Sequence, residues 1–355
     1  MRIEAIRQTL YATGAKDCHV DRVLRAWAQG QSLDSGPRHQ PAADFLPLGL
    51  RNALPGLSAT LNSLARVRSE HAGEDGARLL VELADGQLVE SVLLPRDGLC
   101  ISTQVGCAVG CTFCMTGRDG LLRQVDSAEM VAQVVLARRQ RKVSRVVFMG
   151  MGEPSHNIDN VLEAIDTLGT YGAIGHKNLV FSTVGDYRVF ERLPAGRVRP
   201  ALAISLHTTR PELRKTLLPK AAPIEPGELV ELAEAYARRT GYPIQYQWTL
   251  IEGVNDSEAE MDGIVRLLTG KYALMNLIPY NATAALDYRR PPVERVTALT
   301  RYLHARGIRT TVRNSAGQDV DGGCGQLRAR NLEAPRKLRR IPVLRDASPS
   351  TDSAA

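Results

Sequence analysis

Two N-terminal stretches, MRIEAIRQTLYATG and CHVDRVLRAWAQG, repeat apolar residues at i, i+3 and i+4. That spacing predicts two short amphipathic helices, each closed by a glycine. The following PAADFLPLGLRNALPGL is broken by prolines and reads as loop with a short helix. Residues 1–75 are therefore expected to form a small helical accessory domain. In ARLLVELADGQLVESVLLP, two alternating runs flank Asp85-Gly86, a hairpin signal over 76–98. From residue 99 the pattern changes again. The short apolar runs LCISTQV, RVVFM, LVFST, ALAISL, PIQYQWTL, LMNLIP and IRTTVR alternate with helical segments starting near Ser127, Ile158, Tyr187, Arg210, Pro226, Ser257 and Pro292. Each parallel strand pair needs a crossover, so this alternation predicts an α/β protein with a parallel sheet. Some six such units fit a partial (β/α)6 barrel over 99–330, with its working face at the C-terminal strand ends.

Composition narrows the class. With 44% hydrophobic and 23% charged residues, the chain is an ordinary globular one, not a disordered, collagenous or coiled-coil protein. It contains no apolar run long enough to span a bilayer and no secretory leader pattern, so a cytoplasmic address without membrane attachment is expected. The net charge of +7 permits a nucleic-acid partner without requiring one. Part of the excess is concentrated near the C-terminus, where Arg328, Arg330, Arg336, Lys337, Arg339, Arg340 and Arg345 face a single acidic Glu333. Such a segment can collect counterion-release energy from phosphates. Residues 331–355, basic and then acidic, read as a flexible tail.

The cysteines carry the chemistry. Three of the six fall within eight residues, as Cys107, Cys111 and Cys114 in a CxxxCxxC spacing. A structural zinc site normally has four protein ligands, and no second cysteine pair is present. Three thiolates on one loop suit instead a [4Fe–4S] cluster with one iron left open. The spacing, with Phe113 just before the third cysteine, resembles the radical S-adenosylmethionine superfamily. That resemblance implies that the open iron chelates the amino and carboxylate groups of S-adenosylmethionine, which is then cleaved to a 5′-deoxyadenosyl radical. GMGEP, ending the next predicted strand, supplies Gly152 and Glu153, and the superfamily brings this region to the S-adenosylmethionine amino group. Ser182, Ser205, Leu206, His207 and Asn281 also lie at predicted strand C-termini and complete the expected cofactor-binding set.

Two further cysteines sharpen the resemblance. LVESVLLP, LCISTQVGCAVGCTFC, VVFMGMGEP, FSTVGDYR, AISLH, TLIEGVND, LIPYN and CGQL occur in order, and over residues 76–330 the chain resembles the RlmN/Cfr family of RNA adenine methyltransferases. The resemblance implies methylation of an adenosine carbon, C2 in preference to C8, in rRNA or tRNA. Cys324 matches the thiol that carries the methyl group as S-methylcysteine. Cys100 matches the resolving thiol that forms a transient disulfide with it, and Glu90 matches a carboxylate assigned as a proton acceptor. Two S-adenosylmethionine molecules per turnover, an electron donor such as flavodoxin and a monomeric enzyme are implied with it. The alternatives are an enzyme of the same fold with another substrate, or a non-catalytic iron–sulfur RNA-binding protein. The second is disfavoured because binding alone needs neither Cys100 nor Cys324. Cys18 has no assigned role.

Overall fold

The computed structural model describes residues 1–36, 40–73, 76–282 and 286–313. Its backbone is a single ten-stranded sheet in the order β1-β2-β3-β4-β7-β8-β9-β10-β11-β12. The first four strands, β1 (Ala65–Gly73), β2 (Gly76–Leu83), β3 (Leu88–Leu94) and β4 (Gly98–Cys100), pair antiparallel. From β4 the pairing becomes parallel through β7 (Arg145–Phe148), β8 (Leu179–Thr183), β9 (Ala201–Ser205), β10 (Ile244–Leu250), β11 (Ala273–Pro279) and β12 (Thr310–Val312). A separate ribbon, β5 (Gln104–Gly106) with β6 (Leu121–Gln124), closes the loop that carries the clustered cysteines.

Helices α4 (Ser127–Gln140), α5 (Ile158–Thr170), α6 (Tyr187–Ala195), α7 (Pro211–Leu217), α8 (Pro226–Thr240), α9 (Glu258–Leu268) and α10 (Val293–Ala305) connect the parallel strands. Their starts follow local capping chemistry. Asp126 and Glu129 form a capping box at α4, and the Ser257 hydroxyl accepts from the Glu260 amide at α9. Strand β10 shows how the sequence divides the two faces. Ile244, Tyr246, Trp248 and Leu250 enter the main apolar core, while Gln245 and Gln247 point to the other face and are also buried.

That other face is the interior of a curled sheet. Arg145 on β7 and Arg313, just beyond β12, are five strand spacings apart, about 24 Å if the sheet were flat. Arg313 nevertheless lies within the electrostatic reach of Arg145, and Arg145 hydrogen-bonds Gln245 on β10. Bending of the sheet with a linear strand order is in keeping with the partial barrel expected from the sequence.

The N-terminal region differs from the sequence expectation in two ways. The proline-rich stretch begins as the expected loop, but its second half belongs to the sixteen-residue helix α3 (Leu48–Ser63) with Pro55 inside it, because Leu50, Leu54 and Leu61 bury a continuous stripe that outweighs one lost backbone bond. Residues 65–73, assigned to the helical region on the sequence, form β1, an edge strand whose exposed positions carry Arg66, Arg68 and Glu70. The helices α1 (Ile3–Ala12) and α2 (Asp17–Ala28) share the main core through Ile3, Ile6, Leu10, Val20, Val23, Leu24 and Trp27. Arg138 on α4 also donates to the Ala28 carbonyl. The accessory helices are thus a layer of the same core. Truncating Trp27, which is 3% exposed, to alanine is expected to destabilise the whole chain by about 3–5 kcal/mol. Fluorescence and circular dichroism should follow one coincident denaturant transition, whereas an early transition confined to one probe would mark the helices as an independent unit.

Candidate active site

β7 carries the GMGEP segment to its C-terminal end, where backbone contact fixes its shape. Gly152 adopts φ 103°, and a Cβ there would stand 2.6 Å from the Gln104 Cβ, so only glycine fits. Gln104 is held close because its Oε1 accepts the Glu153 amide at 2.7 Å while its Nε2 donates to Gln124 at 2.9 Å. Glu153, buried to 4% exposure, turns its carboxylate toward the neighbouring strand end. Its two oxygens accept the amides of Ser155 and Val184, each at 3.1 Å.

A buried carboxylate bonded only to neutral amides needs a cation nearby. Arg214 on α7 supplies one. It is 4% exposed and donates to the carbonyls of Ser205 at 3.1 Å, Leu206 at 2.7 Å and Val184. Burial pushes its guanidinium down to about 10, against the opposing pull of Cys111 and Glu153. The charge of Arg214 therefore sits between the strand ends, the GMGEP carboxylate and the cysteine loop.

The cysteine loop begins at Gly106, at φ 79°, where a Cβ would come within 2.0 Å of the Gly120 carbonyl oxygen. Cys107 then donates its amide to that same carbonyl at 2.9 Å. Beyond this clasp, Cys107 and Val109 pack with Val184, Leu217, Leu218, Ile251 and Tyr280, with Cys111 and Phe113 at the margin of the same cluster. Phe113 meets His207 edge-on at 4.9 Å, and Tyr288 donates its hydroxyl to Thr112 at 2.9 Å. The loop is thereby laid across the C-terminal ends of β8, β9, β10 and β11.

Burial pushes the Cys107 thiol up to about 12, with Glu153 and Cys114 adding to the rise. Cys111 is raised well above the ordinary thiol range by burial first and then by Cys114, Cys107 and Glu153. Thiolates gathered in so apolar a place require positive charge to form, which is what iron supplies to its cysteine ligands. Three soft sulfur donors therefore fit an iron–sulfur cluster. Among the described residues, no three His, Cys, Asp or Glu side chains are grouped as a site for a single metal ion.

His207 closes β9. It adopts φ 60°, accepts the Thr249 amide through Nδ1 at 3.0 Å, and is pushed down to about 3 by burial and by Arg214. It is a neutral imidazole with its proton on Nε2. Asn255 secures this arrangement by donating to the carbonyls of His207 at 2.7 Å and Thr249 at 2.8 Å. Of the other residues singled out on the sequence, Ser182 is buried at the end of β8 and Asn281 follows β11, accepting from Arg290 at 3.2 Å. Leu206 meets Arg214 through its carbonyl, while its side chain enters the main core.

Cys100 and Glu90 lie on the interior face of the sheet. Cys100 ends β4 opposite Val92 and is buried among Val147, Val180, Ala201, Ala203 and Met149. Glu90, two residues from Val92 on the same face, is 1% exposed and accepts from the buried Arg78 at 3.0 Å. It is an interior ion-paired carboxylate and not a surface strand residue. Cys18, on α2, is exposed and far in sequence from the cysteine loop. Cys324 and the basic segment 328–345 lie outside the described residues. Sequence reasoning missed Arg214, Gln104 and Tyr288. Arg214 looks like any basic residue on a short helix, and only the three carbonyls it meets reveal it.

The comparisons with known proteins agree with this geometry. A model of the radical SAM superfamily matches residues 101–262, from the end of β4 into α9. A probable RNA methyltransferase of Dechloromonas aromatica is 79% identical over 335 residues, covering 94% of each chain. One from Pseudomonas aeruginosa is 68% identical over 344 residues, covering 97% of this chain and 99% of its own. Among solved structures, a radical SAM methyltransferase from Sphaerobacter thermophilus superposes with a TM-score of 0.77 at 33% identity, covering 92% of this chain and 97% of that one. No helix among the described residues is long and apolar enough to cross a membrane. Membership of the superfamily implies a [4Fe–4S] cluster and S-adenosylmethionine as cofactors, in keeping with the three-thiol loop and the Glu153 carboxylate that acts on it. The chain belongs to the RNA methyltransferases of the radical S-adenosylmethionine superfamily.

Proposed function

We propose that this enzyme methylates a carbon of an adenosine base, C2 in preference to C8, in ribosomal or transfer RNA, by relaying the methyl group through a cysteine. The observation that carries this reading is the position of Cys100. It is buried on the interior face of the sheet, with the carboxylate of Glu90 two residues from its pairing partner. Fixing a cluster requires neither group.

Cys107, Cys111 and Cys114 hold the cluster, and Glu153, with Gly152 leaving room beside it, receives the amino group of S-adenosylmethionine. The strand-end groups of Ser182, Ser205, Leu206, His207 and Asn281 line the same pocket. The bound cofactors supply a methyl group from one S-adenosylmethionine and a hydrogen-abstracting radical from a second, with the electron coming from a carrier such as flavodoxin. Cys324 accepts the methyl group as a thioether, gives up one hydrogen atom from it, and forms the new carbon–carbon bond to adenine. Cys100 takes the proton from the alkylated ring carbon. The bond between the Cys324 sulfur and the methylene carbon then breaks as an S–S bond to Cys100 forms, the released methylene carbon takes up a proton to become the methyl group, and the one unpaired electron left by the radical addition would return to the bound cluster. Glu90, fixed by Arg78, orients the base or relays the proton. The disulfide is transient and is reduced by cellular thiols before the next cycle.

Substituting Cys100 by alanine removes the group that resolves the covalent adduct. RNA should remain attached to the protein on denaturing gels, and release of free methylated RNA by that variant would contradict the assignment. Cys111→Ala should abolish the visible iron–sulfur absorption and RNA methylation. Its melting temperature without the cluster should remain within a few degrees of the parent's, because a lone partly buried thiol contributes about 1 kcal/mol. Nucleoside mass spectrometry of rRNA and tRNA from a deletion strain should lack one methyladenosine isomer present in the parent. An unchanged inventory would refute the substrate class.

A further inference from the structure

The interior face of the sheet carries a polar group that the methyl relay leaves unused. By strand register, Arg145 on β7, Gln245 and Gln247 on β10 and Asn276 on β11 share that face, and Thr311 on β12 pairs with Asn276. Asn276 is 0% exposed, and its Oδ1 accepts the Thr311 hydroxyl at 2.6 Å while its Nδ2 is buried with no partner. Arg145 meets the Gln245 Oε1 at 3.5 Å, the outer limit of a hydrogen bond, and its Nε is buried with no partner. Both orphaned atoms are donors.

The charges point the same way. Arg313, next to Thr311 and Val312 in sequence, is within electrostatic reach of Arg145. Burial first, and the repulsion of Arg145 second, hold its guanidinium below the ordinary arginine value, while burial alone lowers Arg145. Among the described residues, neither arginine has an acidic group acting on it. Two partly buried cations, one of them with an unmatched donor and neither with a counter-charge among the described residues, are destabilising in isolation. They persist where a ligand supplies the missing anion.

We propose that Arg145, Arg313 and Asn276 form an oxyanion-binding site on the interior face of the sheet, filled in the working enzyme by a phosphodiester of the RNA substrate. Guanidinium groups bind phosphate oxygens through paired N–H donors, and a fixed amide adds a third direction. The position suits a substrate phosphate. Gly98 pairs with Arg145 and Cys100 with Val147, so the backbone of Arg145 lies about 8 Å from that of the resolving thiol, two residues along and one strand across. The choice of RNA as the source of the anion rests on the RNA-methyltransferase reading, whereas the oxyanion site itself stands on the sheet geometry.

The test uses the full chain in phosphate- and sulfate-free buffer of low ionic strength. Inorganic phosphate at about 10 mM should raise the melting temperature of the parent protein but not that of Arg145→Met. Without the anion, Arg145→Met should melt above the parent, because it removes an uncompensated buried charge. Asn276→Asp, of nearly identical shape, should also lose the phosphate response. Filter retention of deproteinised total RNA from cells lacking the enzyme should be about ten-fold weaker for Arg145→Met. Its log–log salt slope should be smaller by about 0.7, the contribution of one phosphate contact on a single strand. A variant that melts lower and keeps both the phosphate response and the RNA salt slope would overturn the site. Loss of the phosphate response with RNA retention unchanged would overturn RNA as the source of the anion. An RNA pool whose adenosines the parent enzyme fails to methylate would instead count against the substrate reading and leave the phosphate result intact.

Discussion

A single buried guanidinium organises the catalytic end of this molecule. Arg214 collects the carbonyls of Val184, one residue beyond β8, and of Ser205 and Leu206, at the end of β9 and one residue beyond it. It also places one positive charge between Glu153 and Cys111. Three demands meet at this point: strand-end carbonyls to be bonded, a buried carboxylate and a loop of thiols whose ionisation burial opposes. A neutral side chain could satisfy a carbonyl but would leave the carboxylate and the thiolates without charge compensation. The GMGEP carboxylate and the cysteine loop thus share one electrostatic support.

The sheet distributes its chemistry by face and by end. Its outer face, with the helices, is continuous apolar core that includes the N-terminal helices. The interior face is mixed, with an apolar patch around Cys100 and polar groups at Glu90, Arg145 and Asn276. The strand ends hold the cysteine loop. Such segregation keeps the cysteine loop in apolar surroundings at the strand ends while the charged groups lie within the sheet's interior face.

Much of this was legible in the sequence, for identifiable reasons. The seven parallel strands appear as apolar runs separated by helical spacing, and Ser257 and Asp126 announce their helices by capping chemistry that acts within a few residues. The cysteine spacing is likewise local. What could not be read depends on contacts distant along the chain. Pro55 reads as a helix breaker until the leucine stripe around it is seen to be buried, and β1 acquires its identity only from pairing with β2. Glu90 could equally have been a surface residue, since its partner Arg78 lies on another strand. Arg214 and Arg145 carry no local signal at all; their roles arise from what the fold brings to them.

The central claim, that the methyl group passes through a cysteine thioether and loses a hydrogen atom on the way, has a direct isotopic test. The enzyme would be supplied with S-adenosylmethionine bearing a fully deuterated methyl group, and the methylated adenosine weighed by mass spectrometry. The relay predicts a product methyl with two deuterium atoms and one hydrogen, the third deuterium appearing in 5′-deoxyadenosine. A product that retains all three deuterium atoms would show direct transfer and contradict the account.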